Sequence, residues 1–109
     1  MTALEEFGII VTTFASKQEA RVMAKKLLNA QLASCLQIHK VESLYIYEGA
    51  VCQEDEFRLE IKSRTALYKE VEQFIIDHHS YEVAEVILYE IKKASLPYSQ
   101  WLDETLVKR

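Results

Sequence analysis

Chain breakers are nearly absent from this sequence: its 109 residues include two glycines and one proline. Long regular elements with short connections are therefore expected. No apolar run approaches the roughly 20 residues of a membrane span. Positive charge is also lacking. Thirteen Lys and Arg stand against 17 Asp and Glu, with both signs mixed along the chain and a net charge of −4. A nucleic-acid face needs a clustered positive field, so that class is set aside. The opening "MTALEEF" has two glutamates and no basic start. No secretory signal is read there, and a cytoplasmic location is expected. There is no CxxC, no HExxH, no glycine loop to cradle phosphate and no legible Ser-His-Asp order. Nothing in the motifs therefore argues for catalysis, and a non-enzymatic protein is expected.

Cysteine is scarce too, with only Cys35 and Cys52. In the hairpin inferred below, Cys52 lies opposite Tyr47, twelve positions from Cys35. At ~3.3 Å per residue that is on the order of 40 Å along a straight strand. Disulfide reach is far shorter, so both read as free thiols.

Half of the residues are hydrophobic and 28% are charged, an ordinary globular mix for one domain over 1–109. A chain this long can bury ~65% of its unfolded surface, so no metal or disulfide is required for folding. "FGIIVTTF" (7–14) is short, apolar and β-branched, a buried central strand. "SKQE" (16–19) is a capping box. Ala20, Met23, Ala24, Leu27 and Leu28 then give one apolar face, which predicts a helix over 16–31. Residues 34–49 alternate like a strand, with a change of phase at "HKVES" that predicts a bulge. Gly49 marks a tight turn. Phe57, Leu59 and Ile61 alternate with Arg58, Glu60 and Lys62, so 43–62 reads as a long hairpin. "EDE" (54–56) reads as a solvated charge run. Thr65 can cap a second helix ending near His78–His79. "VAEVILYEI" (83–91) is the fourth strand, and Pro97 opens a short terminal helix.

The order β-α-β-β-α-β with a terminal helix is the α+β, ferredoxin-like sandwich. Both helices should cover one face of the sheet. In 83–91, Val83, Ile87, Tyr89 and Ile91 point one way and Ala84, Val86 and Leu88 the other. Both faces are apolar, so something besides the helices must cover the second. Self-association through this open face is expected, with Tyr45 and Tyr47 as aromatic contacts.

The chain resembles the CutA family of divalent-cation tolerance proteins. The resemblance rests on "LASCLQI" (32–38), "SLYIYEG" (43–49), "EFRLEIKSR" (56–64), "HHSYEVAEVI" (78–87) and "YSQWLDET" (98–105), five stretches in family order. It implies a tight homotrimer whose sheets pack edge to edge and face to face, with an architecture like that of PII signal-transduction proteins. It also implies a link to copper and other divalent cations, with no agreed catalytic reaction. Three departures stand out. A "TC" pair common after the first strand is Thr12-Thr13 here, which removes one soft ligand for copper(I). The proline of Tyr-x-x-Pro-Glu is Ala84, and Ser80 replaces the proline of a His-His-Pro version.

Within this frame His78 and His79 are the candidate metal ligands. Adjacent residues can serve one ion only in irregular backbone, and a helix end running into a strand supplies it. Neutral imidazole suits Cu(II) and other divalent cations. The alternative is that the pair ends a helix. Cys35, Tyr81, Glu82 and Glu85 are candidate pocket-lining residues. Glu85, set in an apolar strand, needs an Arg or Lys partner, from its own or a neighbouring subunit, or a polar pocket at the interface. Two functions follow: a trimeric copper-tolerance protein binding metal weakly between subunits, or a PII-like small-ligand sensor with no direct metal role.

Overall fold

The computed structural model describes residues 6–108. Most of the opening heptapeptide read for a signal lies outside them. The elements are β1 (Phe7–Phe14), α1 (Lys17–Asn29), β2 (Cys35–Tyr47), β3 (Ala50–Arg64), α2 (Tyr68–His78), β4 (Ile87–Ile91) and α3 (Leu96–Glu104). The strands form one antiparallel sheet in the order β2-β3-β1-β4, the ferredoxin-like arrangement expected from the pattern.

The core fills the space between one sheet face and the helices. Ile10, Phe14, Leu59 and Ile61 meet Ala20, Met23, Ala24 and Leu27 of α1 and Val71 and Ile75 of α2. Leu28, assigned to the same helical stripe, is instead exposed. Ser16 caps α1 as the sequence indicated: its hydroxyl oxygen accepts from Glu19 N at 3.2 Å. The terminal helix is tied down by buried polar groups. Arg64 Nε donates to Asp103 at 3.0 Å and its Nη1 to Val107 O at 2.9 Å. Ser34 donates to Leu102 O.

Four expectations are corrected. Thr65 does not cap α2; Thr65–Leu67 is a single 3-10 turn, and the Thr65 hydroxyl donates to Glu6 O at 3.3 Å. No bulge interrupts β2, whose ladder with β3 runs one to one from Cys35↔Lys62 to Tyr47↔Ala50. The phase change has another cause. β1 ends opposite Phe57, so residues 41–47 and 50–56 pair only with each other. Beyond that point the ribbon has no helix-covered side. Leu44, Ile46 and Val51 are exposed on one of its faces, Tyr45 and Tyr47 on the other.

The hairpin register also differs. Glu48 (φ 50°) and Gly49 (φ 79°) form a two-residue loop with both residues left-handed, the I′ geometry that matches strand twist. Cys52 therefore faces Tyr45, not Tyr47. That lies ten residues along β2 from Cys35, still about 33 Å at the strand rise, and both thiols are free. Finally, β4 is shorter than 83–91. Its last pair with β1 is Val11↔Ile87. Two residues further along β1, the Thr13 carbonyl accepts from the His79 side chain instead of from a longer strand.

Candidate functional site

Residues 79–86 run irregularly from the end of α2 to β4, with a cleft on each side. Three hydrogen bonds fasten the start of the segment. His79 Nε2 donates to Thr13 O at 2.8 Å, Ser80 Oγ donates to Glu19 at 2.6 Å, and Tyr81 Oη donates to Glu56 at 2.9 Å.

The smaller cleft, of about 260 Å³, lies over α1 and the end of α2, with His78, His79, Glu19 and Lys26 among its walls. The two histidines differ there. His78 is exposed and stacks on Phe74 with centroids 4.3 Å apart. Its Nδ1 donates to Phe74 O at 2.7 Å, a bond that closes the last turn of α2. Nε2 makes no hydrogen bond among the described residues. His79 is half-buried against Phe14, with centroids 4.3 Å apart and rings 5° from parallel. Both of its nitrogens are engaged, because Nδ1 accepts from Tyr81 N at 3.0 Å. Burial holds its pKa below the ordinary imidazole value.

The larger cleft, of about 810 Å³, opens between the β2–β3 ribbon and residues 80–85. Five carboxylates line it, those of Glu42, Glu54, Glu56, Glu82 and Glu85, with Tyr45, Tyr47, Tyr81 and Cys52 between them. Among the described residues, no Lys, Arg or His lines it. Glu56 is the buried member at 8% exposure. The Tyr81 phenol is pushed well above its ordinary pKa by burial and by its bond to Glu56. Tyr45 is pushed up to about 12, first by its hydrogen bond to Glu54. Both phenols therefore stay protonated as donors to carboxylate.

The comparisons with known proteins converge. The model of the family described as CutA1 divalent ion tolerance protein matches residues 8–105. The chain belongs to the CutA1 family. The divalent-cation tolerance protein CutA of Archaeoglobus fulgidus is 31% identical over 99 residues, 91% of this chain and 97% of that protein. The crystal structure of CutA1 from the psychrotrophic bacterium Shewanella sp. SIB1 superposes with a TM-score of 0.90 at 36% identity, covering 97% of this chain and all of that one. CutA1 from Oryza sativa gives 0.93 at 29% identity, covering 96% and 97%.

Against that CutA1 background the sequence-derived residues separate. Tyr81, Glu82 and Glu85 do come together, in the larger cleft. Glu85 sits there for a different reason than expected, since it precedes β4 and is exposed. His78 and His79 share the smaller cleft. Cys35 lines neither; it pairs with Lys62 at the far end of β2. Four of the cleft's acidic and thiol residues, Glu42, Glu54, Glu56 and Cys52, do not stand out in the sequence. Glu56 was folded into a solvated charge run, although its burial follows from where 79–86 crosses β3, which no local pattern shows. Cys52 was given no role, and its side of the ribbon follows only from the loop register. Among the described residues, no three His, Cys, Asp or Glu side chains gather closely enough to hold a metal.

Proposed function

We propose that this chain serves divalent-cation tolerance without catalysis, as a homotrimer that meets copper or another divalent cation weakly at pockets completed between copies. The observation that carries this reading is the larger cleft, with five carboxylates and no basic side chain among its described residues. Such a wall attracts cations, and carboxylate and phenol oxygens with one nearby thiol form a mixed donor set that does not favour a single metal. One chain gathers no complete ligand set among its described residues, which is the reason for placing the finished pocket between copies. Glu82 and Glu85 are the proposed oxygen ligands. Ligation by His79 would cost at least one of its two hydrogen bonds. The imidazole contact falls instead to the free Nε2 of His78, which lines the smaller cleft and so meets these carboxylates as a ligand from a neighbouring copy.

Exposed apolar groups support the association. Ile46, Val51, Val83, Ile87 and Tyr89 all lie open in the single chain, and a two-stranded ribbon needs further packing to be stable.

Calorimetric titration of Cu(II) and Zn(II) tests the reading on wild type, a Glu82→Gln/Glu85→Gln protein and a His78→Ala protein. Weak binding that disappears in the glutamine protein and falls in the alanine protein is expected. Equal binding by all three proteins refutes the assigned ligands. Binding of neither ion by wild type refutes direct contact and leaves the cleft to a small ligand, as in a PII-like sensor. Sedimentation at micromolar concentration should show three chains per particle, and a monomer there would refute the association.

A further inference from the structure

His79 makes two hydrogen bonds of opposite sense. Nε2 donates to Thr13 O and Nδ1 accepts from Tyr81 N–H. One donor and one acceptor are what a neutral imidazole offers, so the geometry selects the Nε2–H tautomer. The ring lies flat on Phe14 and tilts against Tyr81 at 4.9 Å between centroids. A metal ion requires a ring lone pair. The lone pair on Nδ1 already points at the Tyr81 N–H. Nε2 can supply one only by losing its proton and releasing the Thr13 carbonyl.

We infer that His79 is a positioning residue and not a metal ligand: it pins residues 79–81 to β1 and so holds the Tyr81 hydroxyl on Glu56, at the wall of the acidic cleft. The inference gives a role to that cleft and so rests on the reading of it as the functional site. It has a consequence for the neighbouring pair. Ligation at His79 and an ordered Tyr81 exclude each other, whereas His78 can bind through Nε2 and keep its bond to Phe74 O. Adjacency in sequence does not make the two histidines one site.

The test is nuclear magnetic resonance on the full chain, read at the imidazole nitrogens and at the tyrosine Cζ carbons, with and without Zn(II). In wild type, His79 should show a protonated Nε2 and a bare Nδ1. That pattern should persist at saturating Zn(II) while the His78 signals move. In His79→Ala the Tyr81 Cζ signal should shift to the position it takes in Glu56→Ala, where the acceptor is gone. In His79→Gln, whose amide N–H can still reach the Thr13 carbonyl, the shift should be smaller. A Zn(II)-induced displacement of the His79 nitrogens overturns the inference, as does an unmoved Tyr81 signal in His79→Ala. The wild-type measurement decides the point even if a variant fails to fold. Should Zn(II) move neither the His78 nitrogens nor the Cζ signal of any cleft tyrosine, the cation reading fails, while the His79 tautomer and the Tyr81 shift still establish the positioning role.

Discussion

Tyr81→Phe removes one hydroxyl and leaves the ring that tilts against His79. The lost bond is the 2.9 Å contact to Glu56 Oε2, the one hydrogen bond that carboxylate makes among the described residues. Glu56 is only 8% exposed and has no ion-pair partner among them. A hydrogen bond to a charged group contributes about 1.5–3 kcal/mol, and an orphaned buried acceptor adds its own desolvation cost. The remaining exposure lets water reach part of the gap, which places the expected loss near the lower end, about 1.5–2 kcal/mol. With urea slopes of about 1–3 kcal/mol/M for small proteins, the unfolding midpoint should fall by roughly 1 M at fixed protein concentration. Glu56→Ala removes the acceptor altogether, so the double variant should cost less than the two singles added, by more than about 0.5 kcal/mol. A Tyr81→Phe protein within about 0.3 kcal/mol of wild type, or strict additivity with Glu56→Ala, would show that the contact does not organise the cleft.

Three further outcomes follow from the same structure. Gly8→Ala should destabilise by about 1–3 kcal/mol in urea, because an added Cβ would lie 2.5 Å from Leu88 Cδ1 and 3.0 Å from the Tyr89 carbonyl oxygen. Thr12→Val should stabilise by up to about 1 kcal/mol, since the Thr12 hydroxyl is fully buried with no hydrogen-bond partner among the described residues; a loss of stability there would reveal a hidden partner. Burial lowers the His79 pKa below its ordinary 6.5, so the unfolded chain takes up this proton before the folded one. The stability from His79 is therefore complete above pH 6.5 and is lost as the pH falls from there towards the folded value. Urea midpoints of wild type should drop more steeply between about pH 7 and 5 than those of His79→Gln.

The fold was legible wherever burial is one-sided. The apolar stripe of α1, the capping Ser16 and the alternation of Phe57, Leu59 and Ile61 all report a single covered face, and β1 reads as central because it is flanked on both edges. Pattern failed where burial stops being one-sided. The outer half of β2 shifted phase with no bulge, because the ribbon there has no covered face. Residues 83–86 look like strand, yet the side chain of His79, distant from β1 in sequence, takes the backbone acceptor that a longer strand would use. The candidate site was half legible for the same reason. Tyr81, Glu82 and Glu85 are close in sequence and fall on one cleft. Glu56 and Cys52 join them only through the crossing of a distant segment and a two-residue loop. Whether a histidine nitrogen is free depends on partners that no spacing rule names.

The ribbon beyond Phe57 has a kinetic meaning as well. Amides in the sheet centre can exchange with solvent only when the whole domain opens, whereas those of residues 43–54 sit on a ladder two strands wide and can fray on their own. Their deuterium uptake is thus a local clock that runs independently of global stability. Diluting the protein should speed that clock if copies of the chain shield the ribbon, and leave the amides of β1 unchanged until the domain itself gives way.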